Sequence, residues 1–237
     1  MISFVIPLYN EEERIAKTVH EIKIFQKNFP GDYEWIFVDD GSTDETEQRA
    51  RQELRGMEYR WLQLNSNQGK GKAVQKGMLE ARGDFIFFTD TDLSTPLSEH
   101  QGFLQVLKDG YDLAIGSRGL ADSRVLVHQN WLRETMGKIF NRIARLLTFK
   151  RVKDSQCGFK GFRKEAAHGL FQKQRVAGFS FDAEIIYLAQ KMGYRIAELP
   201  VTWVNSKASK VHIVRDSIRM FLDLFQIRWY HRKIGKD

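Results

Sequence analysis

Short apolar runs of strand character alternate with segments of helical period through the first half of the chain, and this alternation narrows the possible folds more than any other feature. Ile2–Ile6 reads as a strand, and Glu12–Lys27 carries Ile15, Val19, Ile22 and Phe25 at helical spacing. Tyr33–Val38 is a second strand, followed by a helix from about Asp44 with Ser42 or Thr43 as its cap. Tyr59–Leu64 is a third strand, Asn65–Gly71 a loop and Lys72–Ala81 a helix. Phe85–Phe88 is a fourth strand, Leu97–Leu107 a helix and Asp112–Ile115 a fifth strand. Strands linked through helices predict an α/β fold, a mostly parallel sheet with helices on both faces. At 237 residues and 42% hydrophobic content, the chain is long and apolar enough to bury a core.

The predicted strands end in polar clusters. The fourth is the plainest case: Phe85–Phe88 runs straight into Thr89-Asp90-Thr91-Asp92. In extended backbone, residues two apart point the same way, so Asp90 and Asp92 are expected to aim together from the strand's carboxyl end. Open α/β sheets bind ligands at that edge. Two adjacent carboxylates repel unless a cation or donor array separates them. A helix cap with a turn fits the same residues. The other clusters are Pro7-Leu8-Tyr9-Asn10-Glu11, Asp39-Asp40-Gly41-Ser42, Asn67-Gln68-Gly69-Lys70-Gly71-Lys72 and Gly116-Ser117-Arg118. Gathered on one edge, they would form a crevice suited to a nucleotide diphosphate with a divalent cation. The Gly-Lys loop lacks the spacing and final hydroxyl residue of a Walker loop. A phosphate- or sugar-proximal loop and a plain turn both fit it.

Lys and Arg outnumber Asp and Glu by 37 to 30, a net charge of +7 that favours an anionic partner. The one cysteine, Cys157, excludes an internal disulfide and a zinc set, and the six histidines lack metal-ligand spacing. The amino-terminal stretch has no signal-peptide pattern, and no apolar run reaches the about 20 residues that span a bilayer. A cytoplasmic protein is expected, with the membrane surface open to it. Two amphipathic stripes mark the second half: Leu132, Met136, Ile139, Phe140, Ile143 and Leu147, then Val214, Ile218, Phe221, Leu222, Phe225 and Trp229. Each fits either a helix packed on the core or a helix lying at an anionic membrane surface.

Taken in order, these motifs resemble glycosyltransferase family 2, whose fold is a single GT-A nucleotide-binding domain. Asp154-Ser155-Gln156-Cys157-Gly158-Phe159-Lys160, Phe181-Asp182-Ala183-Glu184 and Pro200-Val201-Thr202-Trp203, leading to Ser209-Lys210, look most like the dolichyl-phosphate β-glucosyltransferases and their bacterial polyprenyl-phosphate relatives. The resemblance implies a GT-A domain over 1–210 and an amphipathic helix over 211–237, packed on the core or lying at an interface. It implies that Pro7, Tyr9, Glu11, Asp39, Asp40 and Lys72 bind the nucleotide and that Ser209 and Lys210 close over the donor diphosphate. Asp39 is suited to accept the uracil N3–H. Asp92, with Asp90 in support, implies a site for Mg²⁺ or Mn²⁺. Asp90, Asp92 and Arg118 form the expected catalytic set, and Arg118 with Arg133 would grip an acceptor phosphate. The dolichyl-phosphate mannose synthases often carry Gln two positions after the second aspartate; Ser94 stands there instead.

The implied reaction is inverting transfer of glucose from UDP-glucose to a polyprenyl phosphate, with the membrane surface as a peripheral partner. A hydroxyl acceptor is the main rival, and would call on Asp154, Asp182 or Glu184 as base. A non-enzymatic basic module binding membrane or RNA fits poorly, because the aromatics lie in apolar stripes and not among basic residues. No nucleic-acid partner is expected.

Overall fold

A computed structural model describes residues 1–127, 131–204 and 213–235, with side chains omitted at 131–134, 138 and 213–216. The first half runs β1 (Ile2–Leu8), α1 (Ile15–Asn28), β2 (Tyr33–Asp39), α2 (Thr46–Glu53), β3 (Arg60–Gln63), α3 (Lys70–Glu80) and β4 (Phe85–Thr89). A 3₁₀ turn (Leu97–Glu99), α4 (His100–Lys108) and β5 (Leu113–Ser117) follow. The second half holds β6 (Arg124–Val127), α5 (Trp131–Leu147), β7 (Phe159–Arg163), α6 (Lys164–Phe171) and α7 (Phe181–Lys191). It ends in β8 (Ile196–Pro200), β9 (Thr202–Val204) and α8 (Ile213–Tyr230).

Seven strands form one sheet in the order β3-β2-β1-β4-β7-β5-β8, and β6 pairs with β9 beside it. The expected parallel arrangement is present, with one departure: β7 enters antiparallel between β4 and β5. Its sequence, FKGFR, carries too short an apolar signal to read as a central strand. Because β7 runs the other way, its amino end, Phe159, lies beside Thr89 at the carboxyl end of β4. The segment before β7 therefore reaches the same edge as the DTD motif.

The central strands are buried on both faces, with successive residues entering opposite halves of the core. Phe4, Ile6 and Leu8 of β1 face α1, α2 and α4, whereas Val5 faces α3 and the helices of the second half. Phe4 stacks on Trp35 at 4.8 Å and on Phe87 at 5.3 Å, its partners in register on β2 and β4. Such cross-strand aromatic pairs fix register as well as burying area.

The α8 helix carries apolar residues on two opposite faces. Leu224 and Ile227 are buried in the core shared with α5 and α7, and Phe221 meets Phe140 of α5 at 6.0 Å. Ile218, Leu222, Phe225 and Trp229, most of the predicted stripe, are 57–63% exposed. The packing stripe is the one set two residues away. In α5 the packed residues are Phe140, Ile143, Ala144 and Leu147, while Ile139 is exposed.

A buried ion pair anchors the approach to β7. Asp154 accepts from the backbone N–H of Arg118 at 3.1 Å, from its Nε at 2.7 Å and from its Nη2 at 3.0 Å. Asn141 and the Gln156 amide add further donors. Burial alone would push the Asp154 carboxyl up, but Arg118 outweighs it and holds it at about 2, against an ordinary 3.8. The folded value lies below the unfolded one. The stabilisation is therefore present above pH ~4 and lost as pH falls toward 2, about 2 kcal/mol in all. Asp154→Asn should cost about 3–5 kcal/mol at neutral pH by stranding Arg118. In urea titrations the gap between native and variant should narrow by about 2 kcal/mol from pH 5 to pH 2; a constant gap would refute the assignment.

Candidate active site

The carboxyl ends of β1, β2, β4 and β5 and the amino end of β7 meet along one edge of the sheet. Each contributes a polar group held by its neighbours. After β1, Asn10 takes positive φ (52°), and its N–H donates to Ser42 Oγ at 2.9 Å. Its Oδ1 accepts from the Thr43 amide at 2.8 Å. The Glu11 N–H donates to Thr46 Oγ1, and the Glu11 carboxylate takes both Nε and Nη2 of Arg14. Pro7 offers its carbonyl to Thr91 Oγ1 at 2.7 Å. Tyr9 lies half-buried between them.

The two aspartates after β2 do different work. Asp39 Oδ1 accepts from both the N–H and the hydroxyl of Ser42. Asp39 Oδ2 is buried and has no hydrogen-bond partner among the described residues. An acceptor left open in a buried carboxylate is costly unless a ligand N–H completes it. Asp40 has no such vacancy: Oδ1 accepts the Gln68 N–H at 2.7 Å and Oδ2 the Gly69 N–H at 2.8 Å. Its carboxyl is pushed up chiefly by burial. Whatever it offers a nucleotide, Asp40 is a structural staple on the Gly-Lys loop. Ser42 and Thr43 do not cap α2; Asp44 Oδ1 reaches the Thr46 N–H and hydroxyl instead.

The DTD motif turns as soon as β4 ends. The Leu93 N–H returns to the Asp90 carbonyl at 3.0 Å with Leu93 at φ 46°, so Asp90 and Asp92 do not share a continued strand. The intervening Thr91 is buried, bonded through its hydroxyl to Pro7 and through its carbonyl to Thr18 Oγ1. This anchoring turns both carboxylates to the crevice. Asp92 Oδ1 accepts the Ser94 N–H at 3.0 Å. Burial first, and then the charge of Asp90, push the Asp92 carboxyl up. Two partly exposed carboxylates that repel each other are a donor set suited to a hard divalent cation, with its other ligands from phosphate oxygens and water. No cluster of three or more His, Cys, Asp or Glu side chains is poised for a metal among the described residues.

Asp90 has a partner that sequence reasoning missed. Lys70 Nζ lies 2.6 Å from Asp90 Oδ1. Lys72, expected to bind the nucleotide, turns to Gln75 Oε1 of its own helix at 2.8 Å. Residues two apart on a helix point to different sides, so only one of these lysines could face the edge. Behind Asp90, Gly158 packs so closely that a side chain there would overlap its carboxylate. Further in, fully buried Lys160 donates to Asp182 Oδ1 at 2.5 Å and to the Cys157 carbonyl at 2.6 Å.

Arg118 stands at the end of β5, and the guanidinium fork expected for a phosphate is spent on Asp154 through Nε and Nη2. Its guanidinium lies 5.3 Å from the Trp203 ring centre. Burial works against its charge, yet Asp154 holds it firmly protonated. The side chain of Arg133, and Ser209 and Lys210 altogether, lie outside the described residues.

Comparison with known proteins places this architecture. The family described as "Glycosyl transferase family 2" matches residues 3–171. The dolichyl-phosphate β-glucosyltransferase of Dictyostelium discoideum is 32% identical over 96% of this chain and 74% of its own length. The human and Saccharomyces cerevisiae enzymes of that name are 32% and 31% identical, with the same coverages. Among solved structures, glucosyl-3-phosphoglycerate synthase from Mycobacterium tuberculosis, with Mn²⁺, UDP-glucose and phosphoglyceric acid, aligns at TM-score 0.71. It covers 96% of this chain and 79% of its own at 19% identity, a likeness of fold. The chain is a glycosyltransferase with the GT-A fold and belongs to glycosyl transferase family 2.

Proposed function

We propose that the enzyme transfers glucose from UDP-glucose to a polyprenyl phosphate, with inversion, with Mg²⁺ or Mn²⁺ and at a membrane surface. The relatives' shared name supports the sugar and the acceptor class. The bound UDP-glucose and Mn²⁺ of the M. tuberculosis synthase support the donor and the cation.

The observation that carries the acceptor choice is the state of the three carboxylates able to serve as base. Asp154 is locked to Arg118 and held at about 2. Asp182 is 3% exposed and paired with Lys160. Glu184 is buried and accepts from the Arg175 and Val176 amides and from His231 Nε2 at 2.6 Å. A hydroxyl acceptor would need one of them to take its proton. A phosphate monoester, with a second pKa near ~6, is already largely dianionic at neutral pH and needs none. A phosphate oxygen then forms the bond to the anomeric carbon as the bond to UDP breaks on the opposite face, through an oxocarbenium-like state.

In this reading the open Asp39 Oδ2 accepts the uracil N3–H, and Asp92 with Asp90 holds the cation beside the diphosphate. The bound cation supplies Lewis-acid stabilisation of charge on the departing UDP. Arg118 stays paired with Asp154, and Arg133 for the acceptor phosphate and Ser209 and Lys210 for the donor diphosphate keep the roles that the resemblance implies.

The membrane part rests on α8. Its outward ridge of Ile218, Leu222, Phe225 and Trp229 lies near exposed Arg219, Arg228, Arg232 and Lys233, a composition suited to an anionic interface. No helix among the described residues is long and apolar enough to cross a membrane.

Three measurements test these assignments. Radiolabelled UDP-glucose and a polyprenyl phosphate should give a labelled product that partitions into organic solvent, and chelator or Asp92→Ala should abolish it. Product formed at full rate in chelator would remove the cation. Asp39→Asn turns an acceptor into a donor that faces the N3–H, so UDP binding by calorimetry should weaken at least tenfold; unchanged affinity would remove Asp39 from base recognition. The protein should sediment with anionic liposomes at low salt and release at high salt. Phe225→Ser with Trp229→Ser should fold normally, because both are exposed, yet lose that binding. Equal sedimentation by this variant would show that the ridge is not the membrane contact.

A further inference from the structure

The segment Gly69-Lys70-Gly71 is a mount for one ammonium group. Asp40 staples it from below through the Gln68 and Gly69 amides. At Gly69, with φ +104°, a Cβ would lie 2.5 Å from the Ala177 carbonyl oxygen. At Gly71 a Cβ would lie 2.7 Å from Phe181 Cβ and 2.8 Å from the Val176 and Gly178 carbonyls. Gln174 Nε2 donates to the Gly71 carbonyl at 2.8 Å. Both neighbours of Lys70 are thus pressed against residues 176–181, and its side chain passes the Phe181 ring to Asp90. Asp182 and Asp92 add their fields to that of Asp90 and favour the charged form of this half-buried lysine.

A site meant only to hold a cation on Asp90 and Asp92 gains nothing from a lysine already on one of them. Asp90, Asp92 and Asp182 carry three negative charges against two on Lys70 and Lys160, a balance of −1. Until phosphate oxygens join it, that is a poor set for a hard dication, which also meets repulsion from Lys70. A nucleotide diphosphate changes both terms: its oxygens ligate the cation and offer Lys70 another anion. We propose that Lys70 is a resident counter-cation that holds Asp90 and keeps divalent-cation affinity low until the nucleotide diphosphate binds. Cation and donor then load as a unit. This rests on the reading of Asp90 and Asp92 as cation ligands, and makes Lys70 a positioning residue of that site.

The test measures free Mn²⁺ by electron paramagnetic resonance over the full-length chain, with and without UDP. Lys70→Gln should bind Mn²⁺ about tenfold more tightly than native protein when no nucleotide is present, a single charge's effect at short range. The factor by which UDP tightens Mn²⁺ should shrink correspondingly, and by reciprocity so should the factor by which Mn²⁺ tightens UDP. Lys70→Arg, which keeps the charge, and Lys76→Gln, which removes a charge elsewhere on the same helix, should match native protein within about twofold. Lys70→Met is a second neutral variant, so misfolding of one leaves the comparison intact; thermal melts check each. Equal or weaker nucleotide-free binding in the neutral variants would overturn the counter-cation role alone. Tightening in Lys70→Arg as well would assign the effect to packing, and overturn it too. Mn²⁺ bound by none of the proteins, with UDP or without, would overturn the cation site and this inference together.

Discussion

The pair formed by Lys160 and Asp182 is the contact on which the edge of the sheet depends. Lys160 lies on β7, between Phe88 of β4 and Ile115 of β5, with no exposed surface. An ammonium at such a position is costly unless fully paired. Asp182 and the Cys157 carbonyl both accept from it, and its Nζ sits 5.1 Å from the Phe88 ring centre. Because Asp182 stands in the first turn of α7, this pair sets that helix at the sheet edge. Phe181 then meets Gly71, and Gly71 sets Lys70. The antiparallel strand that looks like an interruption of the sheet is what brings a cation to this depth.

The acids along the edge divide by what their oxygens already hold. Asp40 and Asp154 accept from backbone amides far from them in sequence, and Glu184 from those of the segment just before α7, and so all three fasten loops. A carboxylate taking several charge-assisted bonds in a buried place is a strong local restraint, at roughly 1.5–3 kcal/mol for each. Asp39 Oδ2 is different, being buried without a partner among the described residues. Asp92 also differs, since its neighbours are chiefly another carboxylate and one amide. An oxygen without a partner is open to a ligand, and one already filled ties down a loop. Residue type alone cannot make that distinction.

Much of the fold was legible in the sequence because hydrophobic period reports burial directly. The strands that became β1, β2, β4 and β5 lie within a few residues of their expected bounds. What the sequence left ambiguous was orientation within an element. Lys70 and Lys72 sit two apart in GKGK, and only packing of Gly69 and Gly71 against 176–181 decides which one reaches Asp90. On α8 the most hydrophobic stripe faces outward, since Leu224 and Ile227 on the opposite side suffice to dock the helix. Arg118 read as a phosphate grip because its partner, Asp154, lies on a segment brought near only by the insertion of β7. DDGS concealed a division of labour, as both aspartates suit a turn and a ligand equally.

The inner side of α8 is tied to the same edge, which gives that helix two separable roles. Past its last turn, His231 is buried against Glu184 of α7, and Glu184 holds the amides of Arg175 and Val176. Those residues lead directly into the segment that confines Gly69 and Gly71. Asp223 and Met220 approach the same turn, the latter accepting from Ser180 Oγ at 3.4 Å. The docked face of α8 therefore supports the mount of Lys70, whereas the outward ridge is exposed. Substitutions on the ridge act on whatever surface it meets and spare the edge. Substitutions on the docked face act through Glu184 on the loop that carries the ammonium. The docked face and the outward ridge of this one helix are thus open to separate perturbation.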